Sequence, residues 1–143
     1  MVDSPHRRFS ARMDSMREIR EFVEDAGTNA GLAREDVLKL LLIVEELFTN
    51  TVMHGYGGDS DAPVWMWLEP VAPGLALSYE DEAPAHDPLG SFTPMKTSAM
   101  LNEQPVGGLG VKLIRKLATD ISYRRERERN CIRLTFTGSP PRE

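Results

Sequence analysis

Apolar residues recur along this chain with two different periods. Met16, Ile19, Phe22, Val23 and Ala26 fall at three- and four-residue steps, which predicts an amphipathic helix that Asp14 or Ser15 can cap and that Gly27 and Gly31 bring to an end. A second helix is predicted to begin near Ala33, with Arg34, Glu35 and Asp36 in its first turn. Its Val37, Leu40, Leu41, Val44, Leu47, Phe48 and Thr51 form a broad stripe that must pack on something. The stretch "APVWMWLEPVAPGLALSYEDEA" changes to a period of two. Val64, Met66 and Leu68 alternate with Trp65, Trp67 and Glu69, "PVAPG" makes a turn, and Leu75, Leu77 and Tyr79 alternate with Ala76, Ser78 and Glu80, which together read as a hairpin.

Between Pro84 and Val106 the periodicity is lost and prolines interrupt the chain, a length of loop that in a compact domain usually serves function. "GGLGVKLIRKLATD" then reads as a glycine-rich turn entering a third helix, with Val111, Ile114, Leu117 and Ala118 facing inward. "ISYRRERERNCIRLTFTG" reads as a second hairpin with the charged tip "RERERN", and Arg7 to Arg12 as a short edge strand. The predicted fold is an α/β (α+β) two-layer sandwich in which three helices cover one face of a mixed, mostly antiparallel sheet.

A chain of 143 residues with 41% hydrophobic content supports one core, so residues 1–143 are expected to form a single domain. A formal net charge of -5 argues against a large nucleic-acid surface. The lone cysteine, Cys131, excludes an internal disulfide and reads as a small buried strand residue. No apolar run is long enough to span a bilayer, and "MVDSPHRRFS" lacks the apolar stretch of a signal peptide, so no membrane association and a cytoplasmic location are expected.

The second helix carries the candidate chemistry. At about 100° per residue, Glu46 and Asn50 lie one turn apart on a face nearly opposite the apolar stripe. Leu42, Ile43 and Met53 flank them, which suggests polar groups set in the wall of a half-apolar pocket. Glu46 could accept a proton from an attacking hydroxyl, and the Asn50 amide offers a hard oxygen suited to Mg²⁺. Asp81, at a strand end, could accept from an exocyclic amine such as that of adenine. The glycines of "GGLG", from Gly107 to Gly110, would let backbone amides approach a polyphosphate at a helix start. Each feature alone has an ordinary reading: Glu45 and Glu46 as a solvated face, His54 as a helix-end residue, Asp81 with Glu82 as a strand running into a loop. Their order along the chain is the informative part.

That order resembles the GHKL superfamily of ATPases and kinases and, within it, the small anti-sigma-factor serine kinases similar to RsbW and SpoIIAB. "EELFTNTVMHGY" resembles their first ATP motif through Glu46, Asn50 and His54. "DEAPAHDP" resembles the second through Asp81, Asp87 and Pro88, and "GGLGVKLIRKLATDISY" resembles the third through Gly108 and Gly110. The resemblance implies a Bergerat-type ATP-binding fold with a lid over about residues 84–109. It implies that Glu46 is the general base, Asn50 the Mg²⁺ ligand, and Asp81 the adenine-recognition residue, with His54, Ala83, Gly108, Leu109 and Gly110 completing the ATP site. It further implies phosphorylation of a serine on a STAS-domain anti-anti-sigma protein, sequestration of a sigma factor, and a homodimer, for which Met13, Met16, Trp65 and Trp67 are candidate contacts.

Two positions depart from the second motif: Ala83 replaces glycine and His86 replaces phenylalanine. If position 83 needed a positive φ, or had to lie flush against the adenine, its methyl group would cost about 1 kcal/mol. These departures favour an alternative, a catalytically inactive module that binds partners stoichiometrically. A histidine-kinase catalytic domain is a third reading, disfavoured because His6, His54 and His86 lack the helical-hairpin context of a phosphoacceptor.

Overall fold

The computed structural model describes residues 6–71, 74–85, 114, 116 and 118–137. In chain order the elements are β1 (His6–Ser10), a 3-10 turn (Met13–Ser15), α1 (Met16–Asn29), α2 (Arg34–Asn50) continued by a π-helical turn (Thr51–Gly55), β2 (Pro63–Val71), β3 (Gly74–Asp81), β4 (Ala118–Glu126) and β5 (Arg129–Phe136). The five described strands form one sheet in the order β1-β2-β3-β5-β4, with β1 at an edge as its sequence suggested. Every pairing is antiparallel, which corrects the expected mixed sheet.

Two helices are described in full. Of the expected third, Ile114 is helical and buried and Lys116 is helical; the rest of that segment lies outside the described residues. Ala118, expected to face inward from that helix, instead opens β4 opposite Phe136.

The end of α1 shows why Gly31, and not Gly27, terminates it. Gly31 adopts φ 86, and the Leu32 and Gly31 amides donate back to the Gly27 and Thr28 carbonyls at 3.1 and 3.0 Å, a closure that requires the left-handed conformation glycine adopts cheaply. Gly27 lies within the helix, where a β-carbon would stand 3.1 Å from the Val37 side chain. Its small size therefore brings α1 close to α2. Nor does Ser15 cap the helix with its side chain; its hydroxyl donates to the Ser10 carbonyl at 2.8 Å and ties the helix start to the end of β1.

Packing of α2 on the sheet builds the core. Val37, Leu40, Val44, Leu47 and Phe48 meet Val64, Met66, Leu77, Tyr79, Ile132 and Leu134 in one buried cluster. Ile43, expected beside the polar face, is completely buried there too. Trp65 and Trp67 alternate with the core residues of β2 and are only half-buried, so they belong to the other face of the sheet, where the Arg129 guanidinium stacks 3.6 Å from the Trp65 ring centre. Met16 packs against the core while Met13 is exposed.

The final hairpin turns more tightly than its charged sequence suggested. Arg127 and Glu128 make the turn with φ of 53 and 65, while Arg125, Glu126, Arg129 and Asn130 are strand residues. Such two-residue hairpins need positive φ at both positions, which is costly for residues with a β-carbon. At Gly74, the first residue of β3, a side chain would run into the Phe136 carbonyl and lie 2.6 Å from the Thr137 α-carbon. Gly74→Ala should therefore destabilise the fold by about 2–4 kcal/mol in denaturant unfolding, because rigid backbone is in the way. Wild-type stability in that variant would refute this close approach.

Candidate functional site

The site forms where α2 ends above the termini of β3 and β5. At Asn50 the α-helix gives way to a wider π turn in which the Tyr56 amide donates to the Thr51 carbonyl at 2.8 Å. Widened turns of this kind displace side chains from the α-helical register. Here Thr51 points into the sheet and reaches Asp81.

Asp81 is 6% exposed, and burying a carboxylate is costly unless it is hydrogen-bonded. Its Oδ2 accepts from the Thr51 hydroxyl at 2.8 Å. Its Oδ1 accepts from the Asn130 amide at 2.8 Å and from the Ala83 backbone N–H at 3.1 Å. The Tyr79 phenol, which burial raises well above the usual tyrosine range and so keeps protonated, lies 2.6 Å from Thr51 Oγ1 and 3.1 Å from the Leu47 carbonyl, to which it donates. Three elements are thereby tied at one carboxylate.

Asn130 does more than hold Asp81. Its amide nitrogen also donates to the Ala83 and Pro84 carbonyls, both at 3.2 Å, while its oxygen accepts from the Tyr123 hydroxyl at 2.6 Å. Arg125 adds a 2.7 Å donation to the Ala83 carbonyl. The turn after β3 is therefore clamped by side chains of the last hairpin. Tyr56 fixes it from the helix side, accepting from the Glu82 amide at 2.7 Å and donating to the Pro63 carbonyl at 2.8 Å, and burial pushes its phenol up to about 12.

Ala83 is 1% exposed. Among the described residues only Arg127 and Glu128 are non-glycine residues with positive φ, so position 83 does not need the left-handed backbone and no conformational cost attaches to its methyl group. Room for that methyl comes from Gly55, where an added β-carbon would stand 2.9 Å from the Ala83 β-carbon. The cleft between them, lined by Asn50, Thr51, Gly55, Asp81, Ala83 and Asn130 among others, has a volume of about 10 Å³. That is room for about one water.

Glu46 and Asn50 lie beside this cleft, both half-buried. The Asn50 amide nitrogen donates to Glu46 Oε2 at 3.3 Å, leaving its carbonyl oxygen as the acceptor that could hold a cation. Burial raises the Glu46 carboxyl above its ordinary value, while the Asn50 hydrogen bond and the nearby His54 pull it partly back. A carboxylate in that state suits proton acceptance better than a fully solvated one. His54 is exposed on the π turn. Glu45, next to Glu46, is committed elsewhere, paired with Arg20 of α1 at 2.5 Å.

The structure thus gathers Asn50, Asp81 and Ala83 around one cleft with Glu46 at its side and His54 on the same turn. Gly108, Leu109 and Gly110, together with His86, Asp87 and Pro88, lie outside the described residues. Sequence reasoning missed Thr51, Gly55, Tyr79 and Asn130. In sequence Thr51 reads as part of the apolar stripe and Asn130 as part of the charged tip. The one available signal was that Asn130 stands in phase with the alternating Ile132, Leu134 and Phe136 of β5; that it pairs with Asp81 is decided by the strand register.

The family model described as "Histidine kinase-like ATPase domain" matches residues 9–136 of the chain. The chain is 28% identical over 101 residues to the serine/threonine-protein kinase BtrW of Bordetella bronchiseptica, over 71% of this chain and 70% of that protein. Among solved structures, the Acinetobacter baumannii histidine kinase AdeS superimposes with a TM-score of 0.49 at 18% identity, over 97% of this chain and 70% of that one.

Two outcomes follow from the site geometry. Gly55→Ala should destabilise the protein by about 1–3 kcal/mol, and adding Ala83→Gly should recover about 1 kcal/mol or more in a double-mutant cycle; strictly additive effects would mean that the two positions do not share space. Because Asn50 and His54 both favour the charged form of Glu46, His54→Ala should move the Glu46 carboxyl pKa upward in a carbon-detected NMR titration. An unchanged or lowered value would remove His54 from the electrostatics of the base.

Proposed function

Because the chain belongs to the histidine kinase-like ATPase domain family, we propose that it is an ATP-dependent protein serine kinase of the anti-sigma-factor type. In this reading it transfers the γ-phosphate to a serine of a STAS-domain anti-anti-sigma protein, sequesters a sigma factor when that protein is unavailable, and acts in the cytoplasm as a homodimer. The observation that carries the kinase reading is Glu46, a half-buried carboxylate with a raised pKa, held by Asn50 one turn away at the side of the cleft. The similarity to BtrW, itself named a serine/threonine-protein kinase, supports the same reaction class.

The residues present fit an adenine nucleotide. An ionised carboxylate offers about four acceptor positions, and Asp81 uses three of them on Thr51, Asn130 and the Ala83 amide. The remaining position lies on Oδ2 and can accept from an exocyclic amine. Since the cleft has the volume of a single water, the purine ring would lie at its mouth with only its amine edge directed at Asp81. Among the described residues no three His, Cys, Asp or Glu side chains converge as a metal cage. A divalent cation held by the Asn50 oxygen would therefore complete its shell with water and phosphate, the usual habit of Mg²⁺. Such an ion, when bound, offsets phosphate charge.

Glu46 accepts the proton of the serine hydroxyl as the serine oxygen bonds to the γ-phosphorus and the bond to the β,γ-bridging oxygen breaks, leaving phosphoserine and ADP. Asn50 orients Glu46 through its hydrogen bond, and Asp81 with its three donors fixes the base end of the site. The alternative reading, stoichiometric binding without catalysis, was motivated by Ala83 and His86. Ala83 argues for it only if the adenine must lie flush against position 83, because its backbone is not left-handed and Gly55 leaves room for the methyl group.

The test is incubation of the protein with Mg-ATP and the STAS-domain proteins of its source genome, followed by intact-mass analysis. One of those proteins should gain a single phosphate, and Glu46→Gln should slow the gain by about 10²-fold or more while calorimetry still detects Mg-ATP binding. Stable complex formation with no phosphate gain would replace the kinase with the stoichiometric binder, and absence of any Mg-ATP binding at millimolar nucleotide would sink the nucleotide site itself.

A further inference from the structure

One apolar feature of α2 is used neither by the core nor by the cleft. Leu38, Leu42 and Met53 are 46%, 52% and 51% exposed, although they belong to the same helical run whose other large aliphatic residues are buried. At about 100° per residue, Leu42 and Leu38 lie about 40° and 80° to one side of Glu46, while Asn50 lies about 40° to the other. Across the wider π turn Met53 also falls on the Leu42 side. Glu46 therefore stands on a boundary. On one side is the polar cleft, and on the other a largely apolar face about 20 Å long that carries Leu38, Leu42 and Met53, with the half-buried Thr49 between the last two.

Scattered exposed leucines are ordinary, but an aligned set beside a half-buried carboxylate is a different observation. To lose its proton to Glu46, a hydroxyl must come within about 2.6–3.2 Å of it, so whatever carries that hydroxyl must cover the adjoining helix surface. The Asn50 side faces the cleft, where the phosphate donor would sit. The remaining approach to Glu46 passes over Leu42 and Met53. Charge supports the same direction: Glu45, which borders the stripe, is already paired with Arg20 at 2.5 Å, so covering it leaves no isolated charge. Glu35, exposed, and Lys39, half-buried, give the far end of the stripe a polar margin, as protein interfaces commonly have.

We propose that the Leu38–Leu42–Met53 stripe is the seat of the phosphoacceptor protein, which docks an apolar patch flanking its acceptor hydroxyl and so delivers that hydroxyl to Glu46. This rests on the kinase reading above and adds to it where the substrate binds and what it must present. The substrate is recognised as a folded surface with an apolar patch beside the serine. A short hydrophilic serine peptide would lack most of the contact.

The experiment compares wild type with Leu42→Glu, Met53→Glu and Leu42→Met. It measures kcat, the KM for the phosphorylated STAS-domain protein, the KM for ATP, thermal unfolding, and oligomeric state by sedimentation. Because both side chains are about half exposed, the glutamate variants should fold and bind ATP as wild type does. They should raise the KM for the protein substrate by about tenfold or more, whereas Leu42→Met stays within about twofold. Wild-type KM values in the glutamate variants would overturn the docking site and leave the kinase reading standing. A raised KM accompanied by loss of a dimer would overturn it in favour of a second copy of the chain as the occupant. If wild type itself transfers no phosphate to any STAS-domain protein, the kinase reading falls and this inference falls with it.

Discussion

Everything positioned at the site depends on one buried charge, the Asp81 carboxylate. A carboxylate that is 6% exposed is tolerable only because three donors converge on it. Those donors come from the π turn after α2, from β5 and from the turn after β3. Satisfying Asp81 therefore fixes three segments that are far apart in sequence. Among the described residues no buried side-chain nitrogen or oxygen lacks a partner, so every oxygen and nitrogen of this knot is held, and the network is closed but for the one acceptor position on Asp81 Oδ2. Closed networks of this kind are stiff, because moving any member strands another. Stiffness at this point is what a recognition residue for a planar base requires.

The same knot explains how one helix serves three purposes. The face of α2 carrying Leu40, Val44 and Leu47 packs on the sheet and sets its height. The end of the helix, widened at Thr51, lowers a hydroxyl onto Asp81 and leaves Gly55 beside Ala83, where a methyl group fills the space that a larger neighbour would have taken. The outward face carries Glu46 between the cleft and the exposed stripe. The partial burial that raises the Glu46 carboxyl follows from this position at the border. It is the position, more than any single contact, that makes Glu46 suited to accept a proton.

The opposite face of the sheet is organised differently. Trp65, Glu80 and Arg129 pack there as a cation–π stack and an ion pair of 3.0 Å, half open to solvent. A polar groove of about 460 Å³ opens among Trp67, Glu80, Glu82, Glu126 and Arg129. The two tryptophans are therefore neither core residues under the helices nor isolated on the surface, and the helix-covered face alone carries the main core.

Periodicity by itself determined most of the architecture. Residues that repeat every three or four positions, or every two, can bury their apolar members in only one backbone form, so α1, α2 and both hairpins were legible, as was β1 at an edge. The spacing of Glu46 and Asn50 on one helical face was legible for the same reason. The direction in which β1 pairs with β2 and β3 with β5 was not, because alternation is identical in parallel and antiparallel sheets and only the connections decide. Nor was the role of Gly27, whose helical neighbours look like those of a terminator until Val37 is packed against it. Thr51 and Asn130 were invisible as site residues because their importance lies in what they face. A threonine in an apolar stripe and an asparagine in a charged tip acquire function only when the π turn and the β3–β5 register bring them within 3 Å of Asp81. Ala83 likewise read as a defect in sequence, since the glycine that makes room for it lies on another element. Local pattern fixes the form of each element, whereas the partners of a buried polar group are set by where those elements meet.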